Sequence, residues 1–146
     1  MTNTIPLAPG LRREDTYTVQ NEHTAEHLGS GDLRVLATPS MILFMEMTAR
    51  KLLAKYLPPG ISSVGARVDV RHLAPSPVGA AIRTVAEIIE VNGNKIKFSI
   101  EAWDGHVQIG DGTHLRVVVE EARFMEMTRL HWGKSRKLIP PKVVAP

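Results

Sequence analysis

Cysteine is absent from this chain of 146 residues. That removes disulfides, thiolate metal sites and a thiol nucleophile together, and it suits a reducing compartment. Aromatic residues are scarce, with two Trp, two Tyr and three Phe along the whole length. Nucleic-acid binders cluster Lys and Arg with stacking aromatics, so the composition argues against such a partner. Nowhere do about eighteen apolar residues run together, the length that would suggest a membrane span. The stretch from Met1 to Tyr17 has no basic segment followed by an apolar run and reads as neither a secretion signal nor a membrane anchor. A soluble cytoplasmic protein is the resulting expectation. The formal charge is only +3. Such a small cationic excess suits an anionic ligand, and equally a merely soluble surface.

What is present fits one domain over residues 1–132, followed by a tail over 133–146. In the tail Lys134, Arg136, Lys137 and Lys142 are interleaved with prolines, and little gives it reason to be ordered. Thr16 to Gln20 alternates like a short strand, and Asn21 to Asp32, carrying Gly29-Ser30-Gly31, reads as a loop. From Pro39 to Tyr56 the texture changes. No glycine or further proline occurs, and apolar groups fall at 41, 45, 48, 52 and 56, with a second row at 42, 49 and 53. This predicts one long helix with a wide apolar stripe, embraced on much of its circumference. Thr38 is placed to cap it, Pro39 to begin it and Pro58-Pro59-Gly60 to stop it.

After the helix the period becomes two. Val64 to His72 has apolar even positions and mostly charged odd ones, a half-buried strand ended by Pro75 and Pro77. Ala80 to Val91 is the next strand, Asn92-Gly93 a hairpin, Lys95 to Trp103 a third alternating run, and Asp104-Gly105 a second hairpin. His106 to Glu120 follows, interrupted at Gly110-Asp111-Gly112 by an expected bulge or bend. Residues 121–132 read either way. One hydrophobic helix with about five antiparallel strands is an α+β problem, solved by curling the sheet around the helix. The open sheet edges would be satisfied if two copies paired edge to edge, so a homodimer is expected.

Three positions invite chemistry. Glu46 shares an azimuth with Ile42, Ala49 and Leu53, so its carboxylate is drawn partly inward; a boundary glutamate reaching back to water is the competing reading. His72 shares strand parity with Val64, Ala66, Val68 and Val70 and should point at the helix. It is either a satisfied core histidine or the partner of Glu46 in an acid–base pair. Thr38 is a simple helix cap, or else its hydroxyl and the free amides beside it hold a carbonyl that becomes an oxyanion. His23-Thr24-Ala25-Glu26-His27 matches an H-x-x-E-H zinc pattern, but Gly29 follows too soon for a long helix and no distant third ligand is signalled, so no metal is expected.

An ordered set of short stretches resembles the hotdog-fold thioesterases of the fluoroacetyl-CoA thioesterase family. They are Thr24-Ala25-Glu26-His27-Leu28-Gly29-Ser30-Gly31, Val35-Leu36-Ala37-Thr38-Pro39, Met41 and Met45-Glu46, Val64-Gly65-Ala66 with His72, and Gly110-Asp111-Gly112-Thr113-His114-Leu115-Arg116. The resemblance covers about residues 15–125. It implies a hotdog fold and a dimeric acyl-CoA thioesterase that splits a short or medium acyl thioester to free acid and CoA. No cofactor is implied beyond the coenzyme A of the substrate. It assigns Glu46 as base or nucleophile, His72 as its proton partner and Thr38 as the group positioning carbonyl or water. Gly65, Ser30, His114 and Arg116 fall among the implied substrate-binding residues. Fluoroacetyl selectivity is not implied, because fluoroacetyl-specific members carry an aromatic gate before the threonine and Ser30 to Ala37 contains no aromatic residue. A non-catalytic acyl-CoA binding module and an enoyl-thioester hydratase are the alternatives on the same fold.

Overall fold

The computed structural model describes residues 6–138, with side chains through residue 134. Strand β1 (Arg12–Thr18) leads through a single 3-10 turn and a short helix α1 (Ala25–Leu28) to the long helix α2 (Thr38–Ala54). Four strands follow: β2 (Ile61–His72), β3 (Ala81–Asn92), β4 (Lys95–Asp104) and β5 (Val107–Glu120). Helix α3 (Glu121–Leu138) comes last. The strands form one antiparallel sheet in the order β1-β3-β4-β5-β2. With α2 packed on its inner face, this is the hotdog arrangement. None of the helices among the described residues is long and apolar enough to cross a membrane.

The sheet holds α2 by a stripe narrower than its sequence suggests. Its buried residues are Ser40, Met41, Phe44, Met45, Thr48, Ala49, Leu52 and Leu53, one face of a 3.6-residue period. Ile82, Ala86, Ile88, Ile96, Phe98, Ile100 and Ile109 of the strands close the core against it. Leu43, on the far side, stays 47% exposed. The chain therefore does not embrace the helix on all sides, because its one sheet covers one face.

Both hairpins form where glycine calls for them. The connecting residues are Gly93-Asn94 and Gly105-His106, and the glycines take φ values of 62° and 59°. No non-glycine residue among those described has positive φ, so glycine occupies the one position in each turn that needs it.

Expectations on β2 and β5 are refined. On the β4 side the register shifts beside the Gly110-Asp111-Gly112 run, Ala102 pairing with Gly110 and Trp103 with Gln108; on the β2 side the run pairs without a break with His72, Arg71 and Val70. Its glycines also serve close approach. A Cβ on Gly112 would lie 2.1 Å from the Asp69 carbonyl oxygen, and one on Gly110 would lie 2.5 Å from Met41 Sδ. The continuous alternation expected for β2 is also broken, by a bulge between Gly65 and Arg67. Residues Val68, Val70 and His72 share the inner face with His114, Gly112 and Gly110, whereas before the bulge Gly65 and Ser63 hold that face and Val64 does not. Nor is β2 half-buried throughout, since Gly65 to Asp69 is exposed at the sheet edge. The boundary expected at 132/133 falls inside α3, which runs on to Leu138; residues 139–146 lie outside the described residues.

Replacing Gly112 with Ala sets a methyl against a backbone that has no slack, so urea or thermal unfolding should show a loss of roughly 1–3 kcal/mol or more. An unchanged midpoint would mean that β2 and β5 are not held this closely.

Candidate active site

The first group of site residues meets at the amino end of α2. Ala37 occupies the N-cap position, where no side chain caps the helix, and the helix begins at Thr38 with Pro39 in its first turn. The Thr38 hydroxyl is thus not spent on capping. Its Oγ1 lies 2.8 Å from Nδ1 of His72, which the inner-face parity of β2 turns toward the helix. Nε2 of His72 is buried and has no hydrogen-bond partner among the described residues. Thr38 itself is exposed, so a hydroxyl backed by an imidazole stands at the open, positively polarised end of the helix.

The second group lies two turns along α2, about 12 Å up the helix axis at 1.5 Å per residue. Glu46 Oε2 is 3.7 Å from Arg116 Nη1 and 3.9 Å from His114 Nε2, with the Glu46 side chain 37% exposed. Its carboxylate is neither buried nor free in water; it leans over the edge of the sheet. Gly65 makes room for it, since a Cβ there would lie 2.6 Å from Oε2. Behind the carboxylate the cations are tied down. Arg116 donates from Nε to Ser63 Oγ at 2.8 Å and from Nη2 to the Ser63 carbonyl at 3.0 Å, while its Nη1 is 3.2 Å from His114 Nε2. His114 Nδ1 lies 2.8 Å from the Arg67 carbonyl oxygen.

Of the residues singled out in the sequence, the structure therefore joins Thr38 to His72, and joins Glu46 to Gly65, His114 and Arg116. Within one protomer no ion pair or hydrogen bond among the described residues links Glu46 to His72. Ser30 is exposed in the turn that closes α1, and no contact of either group involves it. Of the zinc-like pattern, His23 Nδ1 accepts from the Gln20 amide and its ring packs edge-on to Phe44, while His27 is exposed. No group of three or more His, Asp or Glu among the described residues is arranged to hold a metal ion. Sequence reasoning missed Ser63, the main acceptor for Arg116. Its facing depends on the bulge at Ala66, for which the alternation gives no warning.

Comparison with known proteins places this geometry. The family model of the fluoroacetyl-CoA-specific thioesterases matches residues 19–122. The chain belongs to that family. The fluoroacetyl-CoA thioesterase of Streptantibioticus cattleyicolor is 36% identical over 95 residues, 65% of this chain and 68% of that one. Among solved structures, a Phe-to-Ala variant of the fluoroacetyl-CoA-specific thioesterase superposes with a TM-score of 0.81 at 30% identity, covering 86% of this chain and 97% of that chain. A thioesterase superfamily member of Thermus thermophilus gives 0.83 at 26% identity, covering 92% and 99%. As a member of this family the protein is a thioester hydrolase.

Burial disfavours the charged form of the two site imidazoles, His72 and His114. Burial pushes His72 below the ordinary histidine range, opposed by its interaction with the Ala74 backbone. Burial likewise pushes His114 down; the Arg67 carbonyl opposes this, Arg116 adds to it and Glu46 opposes it. The Arg116 guanidinium is itself held below its usual value by burial, with Glu46 opposing and Arg50 reinforcing.

These shifts fix a sign for acid stability. A histidine whose folded pKa lies below its unfolded value leaves stability intact above about pH 6.5, and stability is lost as pH falls from there toward the folded value, because the unfolded chain binds the proton first. The melting temperature should therefore drop below about pH 6.5, and replacing His72 with Gln should remove part of that drop. A melting temperature that rose on acidification through this window would contradict it.

Proposed function

We propose that the protein hydrolyses a short or medium acyl-CoA with Thr38, Glu46 and His72 as its catalytic groups. The observation that carries this reading is the Thr38 hydroxyl at the start of α2, released from capping and hydrogen-bonded to His72. A thioester carbonyl resting there meets a hydroxyl and the positive end of a helix, both of which favour the oxyanion that forms as the carbonyl is attacked. Glu46 attacks the carbonyl carbon directly or takes the proton of a water that does. In either route water finally supplies oxygen to the acyl carbon and a proton to sulfur as the C–S bond breaks, with His72 carrying the proton. Gly65 and Arg116 border the acyl end beside Glu46, His114 backs Arg116, and Ser30 lies on the exposed approach. The family points to no cofactor, and coenzyme A enters as part of the substrate. We place the cysteine-free chain in the cytoplasm.

Glu46 and His72 belong to one reaction if two protomers form the site. The exposed run from Gly65 to Asp69 lies on an unpaired edge strand and is centred on Arg67. Antiparallel self-pairing of β2 near that point brings Gly65 toward the end of the partner strand that carries the partner's His72. Glu46, against Gly65, then faces the Thr38–His72 pair across the interface. The same pairing satisfies the open edge and covers the side of α2 that one sheet leaves bare. The substrate in this reading is not fluoroacetyl-CoA in particular, since residues 30–37, leading into α2, contain no aromatic side chain to close on so small an acyl group.

Thiol release from a panel of acyl-CoAs tests the assignment. Glu46→Gln and His72→Ala should each lower turnover by about a hundredfold or more with the fold intact. Wild-type rates in both would rule the trio out. Mixing the two inactive variants under conditions that exchange subunits should restore about a quarter of the wild-type rate, because one site in each mixed dimer then has both groups. No recovery would place the two groups in the same protomer, and a monomer by light scattering would remove the shared site altogether.

A further inference from the structure

His114 sits behind the catalytic carboxylate, 1% exposed, and its two ring nitrogens have different tasks. The Arg67 carbonyl can only accept, so the proton belongs on Nδ1. In the neutral ring Nε2 then offers a lone pair, and the guanidinium, which only donates, supplies an N–H from Nη1 at 3.2 Å. Two further N–H groups of Arg116, on Nε and Nη2, go to Ser63. None of these three hydrogen bonds reaches Glu46, which stands 3.7 Å from Nη1: near enough to feel the charge, too far for a hydrogen bond.

We propose that His114 is a positioning residue that holds the Arg116 guanidinium out of hydrogen-bonding reach of Glu46, leaving the lone pairs of that carboxylate open to the substrate. This rests on the reading of Glu46 as the reacting carboxylate. Without the lone pair on Nε2, the nearest described acceptor for Nη1 is Glu46 Oε2. A shift of less than an ångström would close a charge-assisted bond there, occupy the carboxylate and lower its basicity. Protonation of His114 has the same result by another route. Nε2–H can no longer accept from Arg116, and it faces Glu46 at 3.9 Å. The charged groups facing this ring are Glu46 of α2 and Arg116 of β5, and Arg50 of α2 acts on Arg116. From β2 it meets the Arg67 carbonyl and the glycine at 65, and from β4 the ring of Phe98 at 6.1 Å between centroids. Burial and Arg116 outweigh the Arg67 carbonyl and Glu46 and lower its pKa. The β2 bulge thus takes part in the chemistry through one carbonyl, which sets the tautomer on which the arginine depends.

Two variants separate this role from a merely structural one. In His114→Gln the side-chain oxygen reaches the position of Nε2 and accepts from Arg116, does not titrate, and gives up the bond to Arg67. In His114→Asn the amide keeps the bond to Arg67 and nothing reaches Arg116. Expected is a kcat within about threefold of wild type for the Gln variant, with a shallower acid limb in its pH profile, and a kcat lowered about tenfold or more at nearly unchanged KM for the Asn variant. The reverse order, or wild-type kcat and acid limb in both, would overturn the assignment. Nitrogen-15 NMR of the wild-type ring tests it without any substitution: the neutral tautomer protonated on Nδ1 is required, and one protonated on Nε2 at neutral pH sinks it. Should Glu46→Gln retain wild-type activity, the reading of Glu46 fails while the tautomer stands. Should Glu46→Gln be inactive and His114→Asn fully active, the positioning role alone fails.

Discussion

The site depends on how closely α2 lies against the β2–β5 pair. Three glycines set that distance. Gly112 lets the backbones of β2 and β5 touch, Gly110 admits Met41 from the helix, and Gly65 admits the carboxylate of Glu46. A side chain at 110 or 65 would push helix and sheet apart, and one at 112 would part β2 from β5. The Thr38–His72 contact would then open, and Glu46 would leave the neighbourhood of Arg116. Close packing in this protein is therefore also how the chemistry is aligned.

The carboxylate at the centre of this arrangement is held by charge without being consumed by it. An arginine in direct contact would occupy the lone pairs of Glu46. Ser63 and His114 hold three donors of Arg116, and the Arg67 carbonyl holds His114, so that the charge of Arg116 reaches Glu46 while these hydrogen bonds do not. The cost of burying Arg116 is offset by those same bonds. At the other end of the site, Thr38 and His72 are prepared in the opposite manner, with one direct bond and an imidazole whose pKa burial lowers.

Much of this could be read from the residues alone. The helix over Pro39 to Tyr56 and the glycine-directed hairpins follow from period and turn chemistry, which are local and leave marks in sequence. The inward orientation of His72 was also legible, as was the partial inward draw on Glu46. Val64 was misplaced because alternation was carried through the bulge, and a bulge is one extra residue with no composition of its own. The irregularity expected at Gly110-Asp111-Gly112 adjoins the run on its β4 side, but the close approach its glycines allow was not legible. A glycine that bends a strand and a glycine that lets a second strand approach look the same until the second strand is in place.

Sequence by itself determined the order of the long helix and the five strands and the apolar stripe of α2, because these rest on covalent geometry and short-range periodicity. Tertiary structure decided which groups meet: Thr38 with His72, and Glu46 with Gly65, Arg116 and the buried His114. Those contacts join residues from 19 to 70 positions apart in the chain, and their geometry is set by strand register, by one bulge and by the thickness of the layer between helix and sheet. None of these is written in a local pattern, since each is a property of two segments together.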